Sequence, residues 1–72
     1  MKAALDSFEH MPHPLLRMRV RDIASGTEGE LMAVVREEVP QLLGGPTRVL
    51  IAYIRMASGR ESTTALANVE AV

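Results

Sequence analysis

Seventy-two residues with a formal net charge of -1 allow one small domain and leave little volume for a deep catalytic cleft, because so short a chain buries only a modest share of its surface. The absence of cysteine excludes a disulfide framework and a thiolate metal site, so stability has to come from packing or self-association. Near-balanced charge excludes a general attraction for phosphate backbones, and nucleic-acid binding would need a local basic patch.

No apolar run approaches the ~20 residues that span a bilayer. Asp6 and Glu9 sit where a signal peptide carries its apolar stretch, so a cytoplasmic location without membrane contact is expected. Residues 1–14 read as a flexible N-terminal arm ahead of a single β-rich domain at 15–72. Ala3, Ala4, Leu5 and Phe8 fall loosely on one side of a short helix, which Met11-Pro12-His13-Pro14 would end.

Leu16 to Val20 alternates, with Leu16, Met18 and Val20 on one face and Arg17, Arg19 and Arg21 on the other, which predicts a half-buried antiparallel strand. Ser25-Gly26-Thr27-Glu28-Gly29 then predicts a reversal. The next segment supports two readings. Leu31, Val34, Val35, Glu38, Val39 and Leu42 fall near helical spacing, and Thr27 with Glu30 matches a capping box, so residues 28–43 could form a helix ended by Gly44-Gly45. Pro40 interrupts it, and the preferred reading is a strand from Glu30 to Arg36, with Leu31, Ala33 and Val35 inward, followed by a loop through Pro46. A short helical turn around Glu37 to Leu43 is compatible with that strand.

Arg48 to Met56 gives the clearest pattern. Leu50, Ala52, Ile54 and Met56 form one apolar row, and Val49, Ile51, Tyr53 and Arg55 form a half-covered one, which predicts a long strand closed by a Ser58-Gly59-Arg60 turn. Glu61 to Thr64 is β-prone, Ala65 to Asn68 fits one tight helical turn, and Val69 to Val72 fits a last short strand. The predicted class is mainly β: a small SH3-like barrel or a strongly bent antiparallel sheet of 4-5 strands, with an α+β fold carrying a helix at about 28-43 as the alternative.

Over roughly Leu15 to Val72, the order of strands and the single helical turn before the last strand resemble an SH3-like small β-barrel. The chain is also similar to short uncharacterised actinobacterial proteins with a Gly-x-x-Gly turn, here Gly26 to Gly29, and a Gly-x-Glu element, here Gly59 to Glu61. Ser62 stands where those proteins often place an aromatic.

Candidate chemistry is sparse. His10 and His13 behind Glu9 would offer two imidazoles and a carboxylate to a cation on a helix, but Pro12 breaks that helix and nothing completes the ligand set, so no metal or cofactor is expected. Ser58, Arg60 and Glu61 suggest an anion site or a nucleophile, yet without a nearby histidine as base they read better as a hairpin turn with a solvent-facing ion pair. Arg17, Arg19 and Arg21 are the sharpest surface feature: period-two spacing sets three guanidinium groups about 7 Å apart, near the spacing of phosphates along a nucleic-acid strand. Pairing across strands with Glu28, Glu30 or Glu37 would neutralise that stripe. Tyr53 is expected to be half-buried with its hydroxyl in solvent, and Met18 and Met56 to be core.

The expected function is a non-enzymatic protein-interaction module that binds an unidentified protein partner or itself, through a sheet edge or the loops at one barrel end. The runner-up is a nucleic-acid-associated accessory factor using Arg17, Arg19 and Arg21. A structural subunit of a larger assembly, burying Leu42 and Leu43, is the third.

Overall fold

The structure, a computed structural model, describes residues 8–39, 44–45 and 47–72. The readings placed on Leu5, Leu42 and Leu43, and on the loop at 40–43 and 46, lie outside those residues. Within them the chain is one antiparallel sheet of six strands: β1 (Phe8–Met11), β2 (Arg19–Asp22), β3 (Glu28–Val39), β4 (Thr47–Arg55), β5 (Glu61–Ala65) and β6 (Val69–Ala71). The order is β5-β4-β3-β2-β6, with β1 added to β3. A single 3-10 turn, Leu66–Asn68, links β5 to β6. The mainly-β expectation holds as a strongly bent sheet, with six strands rather than 4-5 and not closed into a barrel, and the helical alternative for 28-43 is replaced by strand from Glu28 to Val39.

β3 organises the molecule because both of its edges are used. β4 runs along one edge from Glu30↔Arg55 to Val39↔Thr47. On the other, β2 pairs with Glu28 to Glu30 and β1 pairs with Val34 to Glu37. Between them Leu31 exchanges hydrogen bonds with the chain itself, accepting from Arg17 N at 2.7 Å and donating to Met18 O at 3.0 Å.

Two departures from the sequence reading follow. Phe8–Met11, assigned to the arm, is a strand whose residues pair with Glu37 to Val34. Leu16 to Met18, assigned to the first strand, lies instead in a compact turn, with Leu16 N donating to His13 O and Met18 N to Leu15 O. Arg17 there adopts a φ of 69°, and Met18 is 53% exposed rather than core. The strand starts only at Arg19.

The core consists of Val20, Leu31, Val34, Ala52 and Ile54, with Met11, Leu15, Leu16, Leu66 and Val69 packed around it. A bulge at Met32 makes this possible. Leu31 faces Ile54, but the next pair is Ala33↔Tyr53, so the extra residue brings Leu31 and Val34 to the same face although they are three apart. The predicted inward set Leu31, Ala33 and Val35 is corrected accordingly. Leu50 lies on the core-side row of β4 but beyond the packed region, and is 41% exposed.

Gly29, read as the end of a turn, is a buried strand residue. A Cβ there would overlap the Arg55 carbonyl group, lying 2.8 Å from its carbon and 2.9 Å from Ile54 Cγ2. The reversal is made by Gly26 at a φ of 82° and by Asp22, the one buried charged side chain among the described residues. Asp22 accepts from Ala24 N at 3.1 Å, Ser25 Oγ at 2.7 Å and Thr64 Oγ1 at 3.0 Å. These bonds hold its carboxyl below the usual range, the Ser25 hydroxyl most strongly, against the opposing effect of burial.

Candidate functional site

Strand pairing fixes what stands on the sheet surface opposite the core. Directly paired residues share a face, so Glu61, Arg55, Glu30 and Arg19 form one row across four strands, and Glu28, Arg21 and Glu70 form a second across three. Ion pairs link them. Arg55 Nη2 is 3.3 Å from Glu61, Arg19 Nη2 is 3.2 Å from Glu28, and Arg21 reaches Glu28 at 3.0 Å and Glu70 at 3.2 Å. Arg17 joins from its turn, 3.4 Å from Glu30.

The three arginines singled out in the sequence are therefore brought together, but within a ladder of four arginines and four glutamates. Glu28, between two guanidinium groups, has its carboxyl held below the usual range, first by its hydrogen bond from Arg21. Such a surface has little net charge to attract phosphate. Arg17, Arg19 and Arg21 keep 66%, 62% and 42% side-chain exposure, so each pair is screened and weak.

Beside the ladder, the same face turns apolar. Past the bulge, β3 presents Ala33 and Val35, paired with Tyr53 and Ile51 of β4. His10 of β1 pairs with Val35. Together His10, Met32, Ala33, Val35, Tyr53 and Glu61 line an open pocket of about 300 Å³. Val35 is only 4% exposed yet stands outside the core cluster, because its side chain floors this second face.

Tyr53 is the polar centre of the site. Its hydroxyl, expected in solvent, donates to Glu37 Oε2 at 2.6 Å. This bond comes first, with burial and the charges of Glu37 and Glu61 adding to it, in pushing the phenol above its ordinary pKa. Glu37, one of the carboxylates considered for the arginine stripe, is thus engaged elsewhere, and among the described residues it has no ion-pair partner.

The remaining candidates separate. His10 points to the pocket, whereas His13 Nδ1 accepts from Leu15 N at 3.1 Å, so the two imidazoles serve different places. Ser58 to Arg60 forms the hairpin turn, with Gly59 at a φ of 90° and Met56 N bonded to Arg60 O. The sequence reading missed Met32, Ala33, Val35 and Glu61 as a site because they lie on two strands, β3 and β5, that are far apart in the chain. The clearest available signal was Tyr53, the aromatic member of a half-covered row. No family, curated protein or solved structure matches the chain.

Proposed function

We propose that the protein is a non-enzymatic interaction module that engages a protein partner through the β1-β3-β4 face holding the Val35 pocket. The carrying observation is that the part-exposed Ala33, Ile51 and Tyr53, over a buried Val35 floor, form an apolar surface on the side of the sheet away from the core. Such a surface gains free energy by being covered, at roughly 25 cal/mol per Å² of apolar area. Among the described residues the adjoining ladder offers no comparable apolar area, since it is a matched set of opposite charges. The ladder supports the protein-partner reading over the nucleic-acid one, because counterion release needs cations in excess of neighbouring carboxylates.

Affinity capture from the source organism, compared between wild type, Ile51→Asp and the triple Arg17→Ala, Arg19→Ala, Arg21→Ala variant, tests this reading. A specific protein retained by wild type and the triple variant but lost with Ile51→Asp is expected. Equal capture by Ile51→Asp, or nucleic acid lost only in the triple variant, would overturn it.

A further inference from the structure

We propose that the Val35 pocket receives a cationic side chain, arginine or lysine, from the partner protein. This rests on the interaction-module reading and specifies what that surface recognises. The pocket combines two chemistries that few side chains match together. Met32, Ala33 and Val35 make apolar walls, suited to an aliphatic stem. Tyr53 and Glu61 line the same opening beside His10, and Glu37 holds the Tyr53 hydroxyl at 2.6 Å.

Both carboxylates bear on the tyrosine, as the raised phenol pKa also reflects, and among the described residues the one cation paired with either is Arg55, 3.3 Å from Glu61. An anionic guest meets repulsion from Glu37 and Glu61. An apolar guest strips water from Glu61 and the phenol without replacing their hydrogen bonds. A cation on an aliphatic stem satisfies both, and over the Tyr53 face it adds cation–π attraction. A volume of about 300 Å³ lies at the small end for ligand sites and has room for one side chain.

The chain contains one tyrosine and no tryptophan, so its tyrosine fluorescence reports on the pocket directly. The probes are the blocked peptide acetyl-Ser-Val-Arg-Val-Ser-amide and its versions with Lys, Leu or Glu in place of Arg, titrated while following Tyr53 emission and the amide resonances of Ala33 and Val35. The Arg and Lys peptides are expected to saturate, the Leu peptide to bind about tenfold more weakly and the Glu peptide not at all, consistent with the strength of a charge-assisted contact. The double variant Glu37→Gln, Glu61→Gln, which keeps a hydrogen-bond acceptor for Tyr53, is expected to abolish the preference for Arg over Leu while melting as a folded protein.

Equal binding of the Leu and Arg peptides overturns the cation proposal and leaves the interaction surface standing. So does the absence of any shift at Tyr53 while capture still depends on Ile51. Sedimentation showing that the chain dimerises through this face, with loss of dimer in Ile51→Asp, overturns it in favour of a second copy as the occupant. Capture that ignores Ile51→Asp removes the broader reading itself.

Discussion

The Asp22 carboxylate accepts the Thr64 hydroxyl at 3.0 Å and so joins β2 to β5, two strands that share no backbone ladder. Asn68 Nδ2 donates in turn to Thr64 Oγ1 at 3.1 Å, and Ile23 N donates to Asn68 O at 2.9 Å. The first reversal and the 3-10 turn are therefore one hydrogen-bonded unit. Replacing Asp22 by Ala leaves two hydroxyls and the Ala24 amide without their acceptor. The melting temperature is expected to fall, with faster amide exchange concentrated at residues 64–68. Asp22→Asn, which retains one acceptor oxygen, should lose less. An unchanged melting temperature in Asp22→Ala would remove this seam from the account of stability.

Acid should weaken the fold through Asp22 and Glu28, whose carboxyls are both held below their ordinary values of 3.8 and 4.5. In that range the unfolded chain takes up protons that the folded protein refuses. Their stabilising contribution is thus complete above the unfolded pKa values and is lost as pH falls through the lower folded ones. Denaturant titrations from about pH 6 to about pH 2 should show it, with a flatter profile in the Asp22→Asn, Glu28→Gln double variant.

At the alkaline end the sign reverses. Tyr53 is raised above 10.0, so its contribution is complete below that value and is lost as pH rises through the folded pKa. Because Tyr53 is the one tyrosine, absorbance at alkaline pH follows it alone. The midpoint is expected above 10.0 in wild type and lower in Glu37→Gln, where the negative acceptor is gone.

Gly29→Ala should destabilise by about 1–3 kcal/mol, the usual range for forcing a methyl into a packed interior. The obstruction is the Arg55 backbone, which cannot rotate aside as a side-chain tip could. A variant as stable as wild type in urea titration would show that β3 and β4 can separate locally at no cost.

Arg17→Gly should leave stability unchanged or raise it by up to about 1 kcal/mol, since glycine relieves the left-handed φ of 69° at some cost in unfolded-chain entropy. The lost ion pair with Glu30 is exposed and contributes little. Arg17→Val, β-branched at the same φ, should destabilise. Equal melting temperatures for the two variants would count against strain at this position.

The strands legible in the sequence were those with uninterrupted alternation and local turns: Thr47–Arg55, Glu61–Ala65 and the terminal pair of 3-10 turn and strand. The helical signal over 28-43 has a physical origin in the Met32 bulge. It places Leu31 and Val34 on one face three residues apart and Val35 on the other, which imitates helical spacing over a short window. Leu16 to Val20 misled in the opposite direction, because alternation is indifferent to the His13-Leu15-Leu16 hydrogen bonds that make a turn there. Phe8–Met11 carried no pattern of its own, since its partner is more than twenty residues away. For the site, Glu28 and Glu30 were readable as partners of the arginines from period-two pairing. Glu70, the Tyr53–Glu37 bond and the pocket walls depend on which strands become neighbours, and chain order alone does not contain that.

β5 and β6 occupy opposite ends of the strand order, yet only Leu66–Asn68 separates them in sequence. Laid flat, four inter-strand spacings would hold them about 19 Å apart, whereas three residues of 3-10 turn advance about 6 Å. The tether is shorter than the gap a flat sheet would require, so it works as a clasp that sets the curvature of the whole sheet. Lengthening it would let the margins drift apart and thin the cover that Leu66 and Val69 give the core. The concavity that brings Val20 towards Ile54 is therefore written partly in the connectivity, ahead of any side-chain packing.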